Sequence, residues 1–196
     1  MSEGASESLW SLRVDELLRR TASGEPTPGN GSIAAVSGSF GIGLVLMGLA
    51  VTGDAPERLS ARGAALLETT TAAADRDVAA FSALLEARGM PSKGEEERRA
   101  REAAVADTTR SAIEGPLELA EALRHALELA ADAEPHVRSE LMSDVRSGAD
   151  LIAGAARAAL RAAALNVESL DALGRTADAA ALRGRVDALR AALPGR

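Results

Sequence analysis

Apolar residues recur at helical spacing along nearly the whole chain, and strand-like alternation never lasts more than a few residues. The pattern predicts an all-α protein. A short first helix is drawn by Val14, Leu17 and Leu18 between about Ser11 and Thr21, and Gly24 follows as a stop signal. The segment Glu25-Pro26-Thr27-Pro28-Gly29-Asn30-Gly31 is turn chemistry, after which Ser32 is the expected N-cap of a second helix ending near Gly53. A long third helix is expected from near Pro56 to about Arg88, with Leu59, Leu66, Leu67, Val78, Phe81, Leu84 and Leu85 on its apolar face. Gly89 and Pro91 close it. The acids Glu95-Glu96-Glu97 suit the positive end of a fourth helix, which the Gly115-Pro116 step should kink or break. A fifth helix is expected after Pro135, carrying Leu141, Val145, Leu151, Ile152, Leu160 and Leu165, and a sixth near Asp178 to Leu193. Short connections between long amphipathic helices imply antiparallel neighbours, so the expected fold is a single-domain up-and-down bundle of about five or six helices over residues 1–196.

The second helix complicates this reading, because no charged residue occurs between Pro26 and Gly53 and the run is long enough to cross a bilayer. It is nevertheless crowded with Gly and Ser, lacks Trp, Tyr, Lys or Arg anchors at its ends, and stands alone in a charged chain. A buried central helix is expected instead. With one Trp, two Phe and no Tyr, the core must be built from Ala, Leu and Val, which suits closely spaced helices. The net charge of −7, without a basic stripe, argues against a nucleic-acid partner. The absence of cysteine excludes thiolate chemistry and fits a cytoplasmic location, as does a polar start, MSEGASESLW, that does not read as a secretion signal.

Candidate chemistry concentrates in a few places. The loop Pro28-Gly29-Asn30-Gly31-Ser32 delivers backbone amides to a helix N-terminus, where they can meet an anionic or carbonyl-bearing ligand. Gly29, Gly31 and Ala34 match G-x-G-x-x-A, but no apolar strand precedes them and no Lys follows, so neither a dinucleotide fingerprint nor a P-loop fits. Asp77, one turn before Phe81, and Asp144, between Met142 and Val145, are carboxylates on otherwise apolar helices. Burial there would raise their pKa and suit them to proton transfer, whereas a place at the edge of the face would leave them solvated. Lys93 offers an ammonium group in the loop after the third helix. His125 and His136 lack partners at ligand spacing, so no metal site is expected.

In order and spacing these residues resemble the C-terminal domain of formiminotransferase-cyclodeaminase and the stand-alone methenyltetrahydrofolate cyclohydrolases of that fold. The resemblance rests on Pro26-Thr27-Pro28-Gly29-Asn30-Gly31-Ser32 with Gly38, on Asp77 before Ala80-Phe81, on Met90-Pro91-Ser92-Lys93, on Ala112 with Pro116-Leu117, and on Ser143-Asp144 and Asn166-Val167. It implies a cyclodeaminase-like helical homodimer that binds a tetrahydrofolate derivative without a metal. The reaction implied is hydrolysis of 5,10-methenyltetrahydrofolate or cyclisation of 5-formiminotetrahydrofolate with loss of ammonia. Transfer of the one-carbon unit to another small molecule and a noncatalytic helical dimer are the alternatives. Asp144 is the implied general acid and base, Asp77 a second polar contact, and Lys93 or the loop amides hold the substrate with Ser143 and Asn166. The chain departs from the family pattern at Asn30, where a glycine is usual, at Val137-Arg138 in place of Gly-Asn, and at Ser169 in place of Asn. Asp144 and Asn166 stand 22 positions apart, about 33 Å along an unbroken helix, so joint use of both predicts a site near a subunit interface.

Overall fold

The computed structural model describes residues 7–194, which leaves most of the polar start outside the described part. Six α-helices occur there and no strand: α1 (Val14–Thr21), α2 (Asn30–Thr52), α3 (Glu57–Gly89), α4 (Glu95–Ala133), α5 (Met142–Ala172) and α6 (Thr176–Ala192). The directions of the helices follow from specific contacts. Ser32 meets Asp77 while Ser39 meets Thr70, so α2 and α3 run antiparallel. Arg62 reaches Asp132 while Arg101 reaches the carbonyl of Arg88, which makes α3 and α4 antiparallel as well. On the other side, Gly38 faces Ala155 and Gly48 faces Val145, so α5 opposes α2. These four helices form an up-and-down square, with Leu123 of α4 reaching across the diagonal to Gly38. α6 packs on the outside of α5 through the buried Ala179, Leu182 and Val186.

The uncharged run is the central helix of this square. By length and hydropathy α2 would be able to span a membrane, but it packs between α3 and α5, with Ile42 and Val45 fully buried. Its glycines allow that packing. A Cβ on Gly41 would lie 2.6 Å from the carbonyl oxygen of Gly148, and a Cβ on Gly148 would lie equally close to that of Gly41, so α2 and α5 meet backbone to backbone. The N-terminal segment is strapped onto α3: Asp75 accepts from the Ser8 hydroxyl (2.6 Å) and the Leu9 amide (2.8 Å), and the Trp10 indole donates to the Thr71 carbonyl.

Four local expectations are corrected. Ser32 is not the N-cap of α2: Gly29 is, and Ser32 sits three residues later, its hydroxyl accepting from the Gly29 amide at 3.0 Å. α1 begins at Val14, after a 3₁₀ turn over Leu9–Ser11, and it buries little; Val14 and Leu18 are exposed and Leu17 alone of the three packs inward. α5 starts at Met142, after two 3₁₀ turns that take up Leu141. The fourth helix is neither ended nor split by Gly115-Pro116. Proline removes one amide, which orphans the carbonyl four residues earlier, that of Ala112. The side chain of Asn166 on α5 donates to that carbonyl at 2.9 Å, so the hydrogen bond lost within α4 is replaced from α5.

That replacement carries a prediction. Asn166→Leu should destabilise the protein by about 1–3 kcal/mol, because the Ala112 carbonyl then loses its donor. Adding Pro116→Ala, which restores the helical amide, should recover most of the loss. Thermal unfolding of the single and double variants reads this coupling directly.

Candidate functional site

The proline-broken loop before α2, the middle of α3, the Ser111–Leu119 stretch of α4 and the C-terminal half of α5 surround a cavity of about 480 Å³. That is the size range of small-molecule sites. Gly29, Asn30 and Gly31 form one wall, Asp77 and Phe81 a second, Ala112 and Pro116 a third, and Asn166 closes the fourth.

Asp77 is the chemical centre of this arrangement. Its Oδ2 accepts the Ser32 amide of α2 at 2.7 Å, so a half-buried carboxylate fills the position where a helix N-terminus favours negative charge. The approach is possible only because residue 31 has no side chain; a Cβ on Gly31 would come within 2.6 Å of the Asp77 Cγ. Burial pushes the Asp77 carboxyl above the ordinary aspartate range, and the amide and hydroxyl of Ser32 offset part of that rise. A carboxyl so placed is a stronger base than an exposed aspartate, and it holds its proton to higher pH.

The other candidate residues divide by position. Gly29, Asn30, Gly31, Asp77 and Asn166 line the cavity together. Ser32 is buried and acts through its bonds to Gly29 and Asp77. Pro28 is buried beside a second cleft of about 510 Å³ between α2 and α5, which shares Gly29 and Asn30 with the first. Ser143 and Asp144 lie in the first turn of the unbroken α5, about 33 Å along it from Asn166, and neither lines the cavity. Lys93 is exposed in the loop between α3 and α4, its amide donating to Glu97 at 2.9 Å, and it too lies outside the cavity wall.

The three departures from the family pattern all have local partners. The Asn30 side chain donates to the Ala158 carbonyl at 3.2 Å and ties the loop to α5. Arg138 donates to the carbonyl of Val51, and its amide to the Thr52 hydroxyl, so it caps the C-terminal end of α2 at the opposite end of the bundle. Ser169 bonds within its own helix to the Leu165 carbonyl. Of the three, only Asn30 touches the cavity.

Sequence reasoning missed Arg76, Glu114 and Glu118 on the cavity wall. A signal existed for two of them: Arg76 is next to Asp77, and Glu114 precedes Pro116 in the segment that resembles the family. No group of three or more His, Asp or Glu placed to hold a metal occurs among the described residues.

The family model for formiminotransferase-cyclodeaminase matches residues 13–181. A methenyltetrahydrofolate cyclohydrolase from Methylorubrum extorquens is 32% identical over 164 residues, covering 79% of this chain and 76% of its own. Among solved structures, a formiminotetrahydrofolate cyclodeaminase from Thermotoga maritima superimposes with a TM-score of 0.71 over 94% of both chains. At 16% identity that likeness speaks to the fold alone.

Proposed function

Because this chain belongs to the formiminotransferase-cyclodeaminase family, we propose that it is a folate-dependent one-carbon enzyme whose substrate binds in the cavity at the N-terminus of α2. The reaction is most simply hydrolysis of 5,10-methenyltetrahydrofolate, or ring closure of 5-formiminotetrahydrofolate with release of ammonia. The observation that carries this reading is the half-buried Asp77 carboxyl, raised in pKa and facing a cavity of substrate size.

In the hydrolytic direction, water adds to the bridging carbon and gives up a proton to the Asp77 carboxylate. The bond from that carbon to N5 then breaks, N5 takes the proton back from Asp77, and the remaining hydroxyl proton leaves to solvent as the 10-formyl group forms. The protonated carboxyl can equally assist an amine to leave, which is the need of the deaminating reaction. With the Gly29 and Ser32 amides already engaged, the Asn30 and Gly31 amides and Asn166 hold the substrate. With its Nδ2 engaged by Ala112, Asn166 presents its Oδ1 as the free acceptor.

The same reading includes a homodimer. Phe40, Met47 and Val51 of α2 and Leu151 of α5 are large apolar side chains left exposed, and a second copy packed over them would remove that surface from water, which supports this part of the reading. Asp144, distant from Asn166 along α5, has access to a cavity only from a second subunit in such an assembly. Sedimentation equilibrium should therefore return about twice the chain mass of 20.0 kDa.

The test of the reaction is direct. Enzyme-dependent loss of the methenyltetrahydrofolate absorbance, or ammonia release from the formimino compound, is expected. An enzyme that binds reduced folate and turns over neither compound contradicts the reading.

A further inference from the structure

The cavity is acidic for a site that takes an acidic ligand. Asp77, Glu114 and Glu118 line it, and the chain carries a net charge of −7, whereas a folate ends in a glutamyl tail with two carboxylates. Arg76 is the one cation on the described wall. Glu114 is already held by Arg110 at 3.1 Å, and Arg110 also reaches Asp178. Among the described residues, no carboxylate lies within ion-pair distance of the Arg76 guanidinium, although two glutamates share its cavity.

Position on the helix separates the roles of Arg76 and its neighbour. Consecutive residues on α3 point about 100° apart. Asp77 is half-buried against the α2 N-terminus, and Arg76 is exposed. The proton-transfer group therefore faces the closed side of the cavity and the guanidinium faces its mouth. Phe81 and the 65% exposed Leu165 also line the cavity and give its wall an apolar surface suited to an aromatic ring.

On the folate reading above, we infer that Arg76 receives a carboxylate of the substrate's glutamyl tail and so sets which end of the molecule enters the cavity first. A guanidinium fork matches a carboxylate in two parallel hydrogen bonds, which gives direction as well as attraction. The bridging carbon then lies at Asp77 and the tail leaves through the mouth. Since Arg76 is exposed, the contribution is modest, about two- to fivefold in KM, and it weakens with added salt.

The experiment compares 5,10-methenyltetrahydrofolate with the same compound carrying both tail carboxylates as amides, in the wild-type protein and in Arg76→Gln. Wild type is expected to show a KM about two- to fivefold higher for the diamide, with kcat unchanged. In Arg76→Gln the preference for the charged tail should be lost, the diamide's KM matching or falling below that of the charged substrate, because Glu114 and Glu118 then face the tail without a compensating cation. Arg76→Lys should restore part of the preference for the charged tail. If Arg76→Gln keeps the wild-type ratio between the substrates, the role of Arg76 is overturned and the reaction stands. If wild type turns over neither of these substrates nor 5-formiminotetrahydrofolate, the folate reaction and this inference fall together.

Discussion

Asp77→Asn is expected to lower turnover of the one-carbon substrate by at least about 100-fold, the usual contribution of a positioned acid or base, while leaving folate binding in place. Asparagine keeps the shape, and its carbonyl can still accept the Ser32 amide, but it cannot carry a proton. The pH profile separates this from a general loss of structure. A base whose pKa burial has raised should give a kcat/KM that climbs with pH through a limb displaced above the ordinary carboxylate range, and that limb should vanish in the variant.

Stability should move the other way. Since the folded state raises the Asp77 pKa, it binds this proton more tightly than the unfolded chain does. The stabilisation that results is complete below the unfolded pKa and is lost as pH rises through the folded one. At neutral pH the ionised side chain is therefore a cost that asparagine removes. The melting temperature of Asp77→Asn at pH 7 should equal or exceed that of wild type, and the gain wild type shows on acidification through this window should be smaller in the variant. A large drop in melting temperature at pH 7 would instead assign Asp77 a structural role.

Gly31→Ala should damage both activity and stability. The added Cβ meets the Asp77 carboxyl on its closest side, 2.6 Å from Cγ and 2.9 Å from Oδ2, and the opposing atoms belong to a short side chain held by the Ser32 amide. Either the carboxyl swings away or α2 shifts from α3. Overpacking of this kind destabilises by about 1–3 kcal/mol. Displacing the reacting group by about 1 Å is enough to lower turnover by about 100-fold. Because the clash is with one side chain, Asp77→Ala should relieve it, and unfolding free energies of the two single variants should not add in the double variant. Additive losses would place the Gly31 constraint elsewhere.

Much of the fold is legible in the chain. Apolar spacing of 3.6 residues and short connections specify the antiparallel square, and glycines at 38, 41 and 48 anticipate how closely α5 approaches α2. The errors have local causes. The Gly115-Pro116 step read as a kink or break of the fourth helix because the donor that compensates for the proline, Asn166, is 50 positions away in the chain. Ser32 read as an N-cap because a hydroxyl before an apolar run is the usual signal, whereas here glycine caps the helix and the carboxylate that completes it comes from α3. The loop, Asp77 and Asn166 were visible as separate features, but only the antiparallel register brings them to one cavity. The separation of Asp144 from Asn166 is legible from their spacing on one helix, but only the register between helices decides that the Asn166 end lines the cavity and that Asp144 and Lys93 lie outside its wall.

The most direct measurement is a crystal structure of the Asp77→Asn protein with 5,10-methenyltetrahydrofolate trapped in it. The bridging carbon, or a water poised on it, should lie within about 3 Å of the residue 77 side chain, with the ring system against the Gly29–Gly31 loop and Asn166. A ligand seated away from the α2 N-terminus, with residue 77 out of reach of its one-carbon bridge, contradicts the account.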